Sequence, residues 1–85
     1  MRKILYLVKD PDPIRTDLLV PDQASGREVS VVLLQDGVTL TDLPTNHVYA
    51  LSDDVRARHI TPAYPVVSYA DVLRMMFEAD AVIAL

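Results

Sequence analysis

"VVLLQDGVTL", residues 31–40, decides how this chain reads. Four apolar residues, Val31 to Leu34, give way at once to an amide, a carboxylate and a glycine at Gln35, Asp36 and Gly37. The apolar run is continuous rather than alternating. That is the pattern of a strand covered on both faces, and such strands belong to mostly parallel sheets with helices on each side. Asp36 suits the N-cap of a short helical turn, and Gly37 lets the backbone turn tightly or approach a neighbour closely. The carboxyl ends of strands in open parallel sheets are also where ligands bind. Gln35, Asp36 and Gly37 are therefore candidate contacts for a ligand or a partner as well as candidate architecture.

Similar runs lie on either side: "ILYLV" (4–8), "VSVVLL" (29–34, overlapping the opening stretch), "HVYAL" (47–51), "AVIAL" (81–85) and the weaker "YPVVSY" (64–69). Parallel strands need crossovers, so the intervals should hold helices. The clearest is "SYADVLRMMFEAD", 68–80, where Ser68 and Asp71 make a capping box. Val72, Leu73, Met76 and Phe77 fall on one face by i, i+4 spacing. Met75 and Met76 read as core packing plus one interface contact. "SDDVRARH", 52–59, predicts a shorter helix capped by Ser52. Asp53 and Asp54 sit at its positive end, and Arg56, Arg58 and His59 at its negative end, which matches the macrodipole.

The interval 9–28 is less regular. Asp12 and Pro13 suit an N-cap and first helical position, Ile14, Leu18 and Leu19 could form a packing stripe, and Pro21 forbids a long continuation. "TDLPTN", 41–46, predicts one helical turn ended before Pro44.

Composition bounds function. At 85 residues the chain is expected to be one domain, 1–85, with modest stability alone; yet 51% of it is apolar, which predicts an oligomer with some apolar surface hidden against another subunit. Its interface should draw on Met75 or Met76 and on the turn after Gly37. The net charge of −4 argues against direct nucleic acid binding. The start, "MRKILYLVKDPDP", is too short in its apolar run for a secretory or membrane segment, so a cytoplasmic protein is expected. With no cysteine there can be no thiolate nucleophile, disulfide or persulfide on this polypeptide. His47 and His59 lack the spacing of a zinc motif, and no metal or cofactor is expected.

In order, "VVLLQDGVTL", "VYALSDDVRARHI" and "VVSYADVLRMMFEADAVIAL" resemble the DsrH/TusB-like branch of the DsrE/DsrF/DsrH sulfur-relay family. That branch shows an apolar strand ending in Gln/Glu-Asp/Asn-Gly-Val, a "VYAL..D..AR" segment and a Tyr-led last helix before the final strand. Ile4 to Val8 fits its first strand. The resemblance implies a three-layer α/β/α sandwich around a five-stranded, mostly parallel sheet in the order 4-3-2-1-5. It also implies sulfur transfer within a hetero-oligomer. There a cysteine on the DsrE/TusD-type subunit takes up persulfide sulfur, for tRNA wobble-uridine 2-thiolation or dissimilatory sulfur oxidation. Some DsrH-type subunits carry a cysteine, and this chain has none. Where the family commonly places Gly after "AR", this chain has His59, at a helix end whose left-handed position favours glycine.

Two functions are expected, the first implied by the resemblance and the second read from the carboxylates. The first is a non-catalytic assembly subunit of a sulfur relay, with cysteine-bearing DsrE/TusD-type and DsrF/TusC-type partners, touching them through Gln35, Asp36 and Gly37. The second is a small-ligand or divalent-cation domain in which Asp36, Asp53 and Asp54 gather at the carboxyl edge of the sheet. Against an enzyme, there is no glycine-rich phosphate loop and no nucleophile motif.

Overall fold

The structure is a computed structural model that describes residues 2–11, 27–41, 43 and 47–85. The expectations for residues 12–26, Pro21 included, and for Asp42 and 44–46 lie outside the described residues.

Five strands form one sheet: β1 (Arg2–Val8), β2 (Arg27–Leu33), β3 (Val48–Leu51), β4 (Val66–Val67) and β5 (Ala81–Ala84). Every pairing is parallel, and the order across the sheet is β4-β3-β2-β1-β5. This is the expected α/β class and the strand order that the resemblance implies. A 3-10 turn, η1 (Gln35–Thr39), follows β2; α1 (Ser52–Ala57) follows β3; α2 (Tyr69–Glu78) follows β4.

Neighbouring residues of β2 serve two cores. Val31 and Leu33 join Val8, Val48 and Ala50 in one, with Val38 of η1 and Val55 of α1. Val32 joins Leu5, Leu51 and Val72 of α2 in the other. Strand side chains alternate between faces, so a run with no polar residue is what a strand buried twice requires. Leu5, Leu33 and Leu51 are all fully buried, and each burial contributes about 1.5–3 kcal/mol.

The outer strands depart from that pattern. Val82, Ile83 and Ala84 of β5 are exposed despite their apolar run, as is Val66 of β4. Among the described residues both are edge strands with a neighbour on one side only.

Of the two helix starts, one forms as expected and one does not. The Ser68 hydroxyl accepts from the Asp71 N–H at 3.2 Å, and the Asp71 carboxylate accepts from the Ser68 N–H at 3.2 Å, so the capping box is present. The Ser68 N–H, and after it the nearby Ser68 hydroxyl, hold the Asp71 carboxyl below its ordinary value of 3.8, and Arg74 at 2.7 Å adds to the effect. Ser52, expected as a cap, is instead the first helical residue of α1; the N-cap is Leu51, and it makes no side-chain cap bond. The orphan N–H groups at that end therefore rely on Asp53 and Asp54 in the first turn to offset the dipole.

The face of α2 also differs from expectation. Val72 is buried and Met75 and Ala79 pack with it, which is an i, i+3, i+7 stripe. Leu73, Met76 and Phe77 point outward. The helix is apolar over more than one side, and spacing alone joined residues of two stripes.

The end of α1 is closed by the motif expected from a glycine, built on a histidine. His59 has φ of 52°. Its N–H donates to the Arg56 carbonyl at 3.2 Å, and the Ile60 N–H to the Val55 carbonyl at 3.4 Å. That pair of bonds is the Schellman arrangement, and Ile60 packs on the core that holds Val55. A left-handed non-glycine residue costs roughly 1–2 kcal/mol. His59→Gly should therefore raise stability by about 0.5–1 kcal/mol in urea unfolding, part of the relief being lost to glycine's greater chain entropy.

The Asp71 carboxyl gives a second expected outcome. Its folded pKa lies below its unfolded one, so its contribution is complete above the unfolded value and is lost as pH falls through the folded value. The melting-temperature gap between the wild type and Asp71→Ala should stay constant from neutral pH to about 5 and narrow below about 4.

Candidate functional site

The carboxyl ends of β1 and β2 are tied together by backbone before any side chain acts. The Leu34 N–H donates to the Val8 carbonyl at 2.8 Å, and the Gly37 N–H lies 2.9 Å from both the Lys9 and Leu34 carbonyls. Gly37 is buried against the end of β1, and a Cβ placed on it would stand 2.4 Å from the Val8 oxygen. Only glycine fits there without moving a strand. The expectation of close approach at Gly37 is thus met, and its partner is the neighbouring strand.

Gln35, which enters this turn, has φ of 50° and an exposed side chain. Its N–H is held by the Asp54 carboxylate at 2.8 Å. Asp36, expected to cap the turn, does not. The N-cap position is Leu34, without a side-chain cap bond, and Asp36 lies inside η1. The carboxylate that serves the start of the turn comes from α1, 19 residues away. Asp36 instead accepts from the Arg58 Nε at 2.9 Å, while its own carbonyl accepts from the Thr39 hydroxyl at 2.8 Å.

Arg58 is the centre of this edge. Its Nη1 donates to the Asp54 carbonyl at 3.2 Å and approaches the Asp54 Oδ1 at 3.4 Å, while Nε holds Asp36. Asp54 is 20% exposed and Asp36 69%, so the former bond is the sheltered one. The sequence suggested Arg58 only as a charge matching the α1 dipole. The i, i+4 spacing from Asp54 was available as a signal, but nothing local pointed to Asp36.

This geometry bears on the carboxylate trio. Asp36 and Asp54 do converge, but on a single guanidinium that pairs with both, and Asp53 is exposed. Among the described residues no three His, Cys, Asp or Glu side chains form a group able to hold a metal ion. Of the other expected contacts, Met75 belongs to the core and Met76 to the surface of α2, away from the turn. A half-open cavity of about 170 Å³ lies near the amino ends of β1 and β2, lined by Lys3, Glu28, Ser30, Tyr49, Met75 and Glu78 among others.

What the edge offers chemically is recognition. It presents an amide on a fixed left-handed backbone, a paired Asp36–Arg58 and the exposed Asp53. Among the described residues no helix is long and apolar enough to cross a membrane. No family model matches the chain, and no curated protein matches it.

The two aspartates should separate in mutation. Asp54→Ala removes the acceptor of the Gln35 N–H and one of the two carboxylates around Arg58, and should cost about 1–3 kcal/mol. Asp36→Ala breaks an exposed pair and should cost less than about 1 kcal/mol, with Asp36→Ser near neutral. Urea unfolding of the three variants checks this; equal losses at 36 and 54 would remove Asp54 as the anchor of the turn.

Proposed function

We propose that the chain is a thiol-less assembly subunit of a cytoplasmic sulfur relay. In this reading it is a DsrH/TusB-like partner of cysteine-bearing DsrE/TusD-type and DsrF/TusC-type subunits, serving tRNA wobble-uridine 2-thiolation or sulfur oxidation. The observation that carries the reading is the turn at the carboxyl end of β2. A non-glycine residue, Gln35, is held in a costly backbone conformation by a carboxylate from another element. Such strain persists where the surroundings over-determine it, and it concentrates at functional contacts. The order β4-β3-β2-β1-β5, which the resemblance implies, adds support.

The division of labour follows from the sulfur chemistry. A persulfide forms on a thiolate, and the only sulfur here is in the thioethers of Met1, Met75 and Met76, which cannot form one. The travelling sulfur must then stay on a partner's cysteine. A persulfide is anionic, and a bare carboxylate beside it would be repulsive. With Asp36 paired to Arg58, its charge is partly offset, and the turn offers the Gln35 amide beside it. The work of this subunit is to hold a partner's reactive loop in place.

The test is transfer of labelled sulfur from a desulfurase to a cysteine-bearing partner, with and without this chain. Label should appear on the partner alone, with transfer or partner assembly promoted by this chain. Gln35→Gly, which relieves the backbone and deletes the amide, should keep or raise stability while weakening that promotion. Unchanged rate and unchanged assembly in the absence of the chain would defeat the proposal.

A further inference from the structure

We propose that the open edge of β5, together with the outer stripe of α2, receives a second copy of this chain, extending the sheet by antiparallel β5–β5 pairing. The inference goes beyond the sulfur-relay reading and does not depend on it.

The two edges of the sheet are built differently. An unpaired edge strand is a template for another strand, and proteins blunt such edges with short strands, proline, charge or a covering element. β4 has two residues and is entered through Pro65. β5 has four residues, Ala-Val-Ile-Ala, with neither proline nor charge, and Val82, Ile83 and Ala84 are exposed. The nearest charged side chain, Asp80, is exposed but tied to β1, its carboxylate accepting from the Lys3 N–H at 2.7 Å.

The free backbone groups can be assigned. The Val8 carbonyl of β1 accepts from the Leu34 N–H, beyond β2, whereas the Lys3 and Leu7 carbonyls accept from Asp80 and Leu85, each at 2.8 Å. Odd residues of β1 thus face β5. In the matching register, Leu5 beside Val82 and Leu7 beside Ala84, Ala81 and Ile83 turn their backbone groups to β1. Val82 and Ala84 carry theirs to the open side.

A two-fold axis through Ile83 satisfies all of them. Val82 of each copy exchanges both hydrogen bonds with Ala84 of the other, and the two Ile83 residues meet at the axis in the closer, non-hydrogen-bonded pairing. The overlap covers residues 81–85, whose centre is Ile83. Such a contact uses the same surface twice and closes, consuming both open β5 edges.

The apolar stripe of α2 lies on the same side. Met75 and Glu78 line the cavity over β1, β2 and β3 with Lys3, Ser30 and Tyr49. Tyr69, Leu73, Met76 and Phe77 fall on the other flank of the helix, towards β5. Val82 shares a sheet face with Leu5, against which Val72 of α2 packs. Pairing the two β5 strands therefore brings the two α2 stripes side by side and antiparallel.

Size and charge favour a second copy over a different protein. Phe77 is 88% exposed and Tyr69 59%; with about 200 Å² for each aromatic side chain, these two leave on the order of 300 Å² in water. Leu73, Met76 and Val82 enlarge the patch, which puts it within the roughly 300–600 Å² of the largest apolar patches on monomers, a size that is often functional. It then suffices as the apolar centre of an interface of about 800 Å² per partner. Among the described residues no charged side chain lies within the stripe or β5 for an oppositely charged partner to read.

The experiment is sedimentation equilibrium of the full chain alone at micromolar concentration, with far-UV circular dichroism on each sample. The wild type should have twice the 9.5 kDa chain mass. Ala84→Pro deletes only an outward N–H, and Phe77→Asp places charge in the stripe; both should be folded monomers. Val66→Lys, at the opposite edge, should remain a dimer. A monomeric wild type would overturn the proposal, as would a dimer that survives Phe77→Asp and a folded Ala84→Pro; if Ala84→Pro does not fold, Phe77→Asp decides alone. Because the sample holds no partner and no sulfur, failure here is distinct from failure of the relay reading.

Discussion

The approach of Gly37 to the end of β1 is the contact on which the carboxyl edge depends. β1 and β2 pair through seven residues each and form the middle of the sheet. A chain leaving β2 in extended form would run past β1 into water. It turns instead, with Gly37 so near the Val8 carbonyl that no Cβ fits between them. Once that turn is fixed, Gln35 has to enter it in the left-handed region, and Val38 is carried down onto the core of Val31 and Leu33. One missing methyl group therefore fixes a strand end, a strained amide and a buried valine together.

Electrostatics then secures what packing has placed. Arg58 stands at the end of α1, where a cation is favoured by the helix dipole, and directs its guanidinium to Asp54 and Asp36. Asp54 uses its other oxygen on the Gln35 N–H. The chain of contacts ties the end of one helix to the entrance of the turn after another strand. The sheltered link, Asp54, supports the backbone, while the exposed link, Asp36, neutralises charge at the surface. That separation explains why the carboxylate that looks most conspicuous in the sequence is not the one that holds the turn.

What could be read from the sequence was whatever depended on near neighbours. Val31 to Leu34 marked a doubly buried strand because both of its faces meet apolar groups. Ser68 and Asp71 marked a helix start because a capping box spans only one turn. His59 could be suspected of a left-handed conformation because it stands where the resemblance places a glycine. The role of Asp36 was not legible, because its partner is 22 residues away and its capping duty passed to Asp54. The buried side of α2 was not legible either: Val72, Met75 and Ala79 make one apolar stripe and Tyr69, Leu73, Met76 and Phe77 another. Choosing between them requires knowing where the sheet lies. Likewise an apolar tetrapeptide such as Ala81–Ala84 does not disclose that it will be an edge.

The two surfaces read here as contacts occupy different parts of one sheet, and their geometry makes them compatible. The turn with Gln35 lies at the carboxyl end of β2, and β5 lies beyond β1 on one flank. In an antiparallel β5–β5 pair the strands of the two copies run in opposite directions. The two carboxyl edges would then point to opposite ends of the extended sheet, each with its Gln35 unobstructed by the other copy. Self-association through β5 and α2 would therefore not compete with docking of a cysteine-bearing partner at the turn. Burying Phe77 and Tyr69 between copies would also remove from water the apolar surface that a small domain has no interior to hold. A pair of thiol-less subunits could in this way present two separated, identical docking turns, and the stoichiometry of any relay built on them would be even.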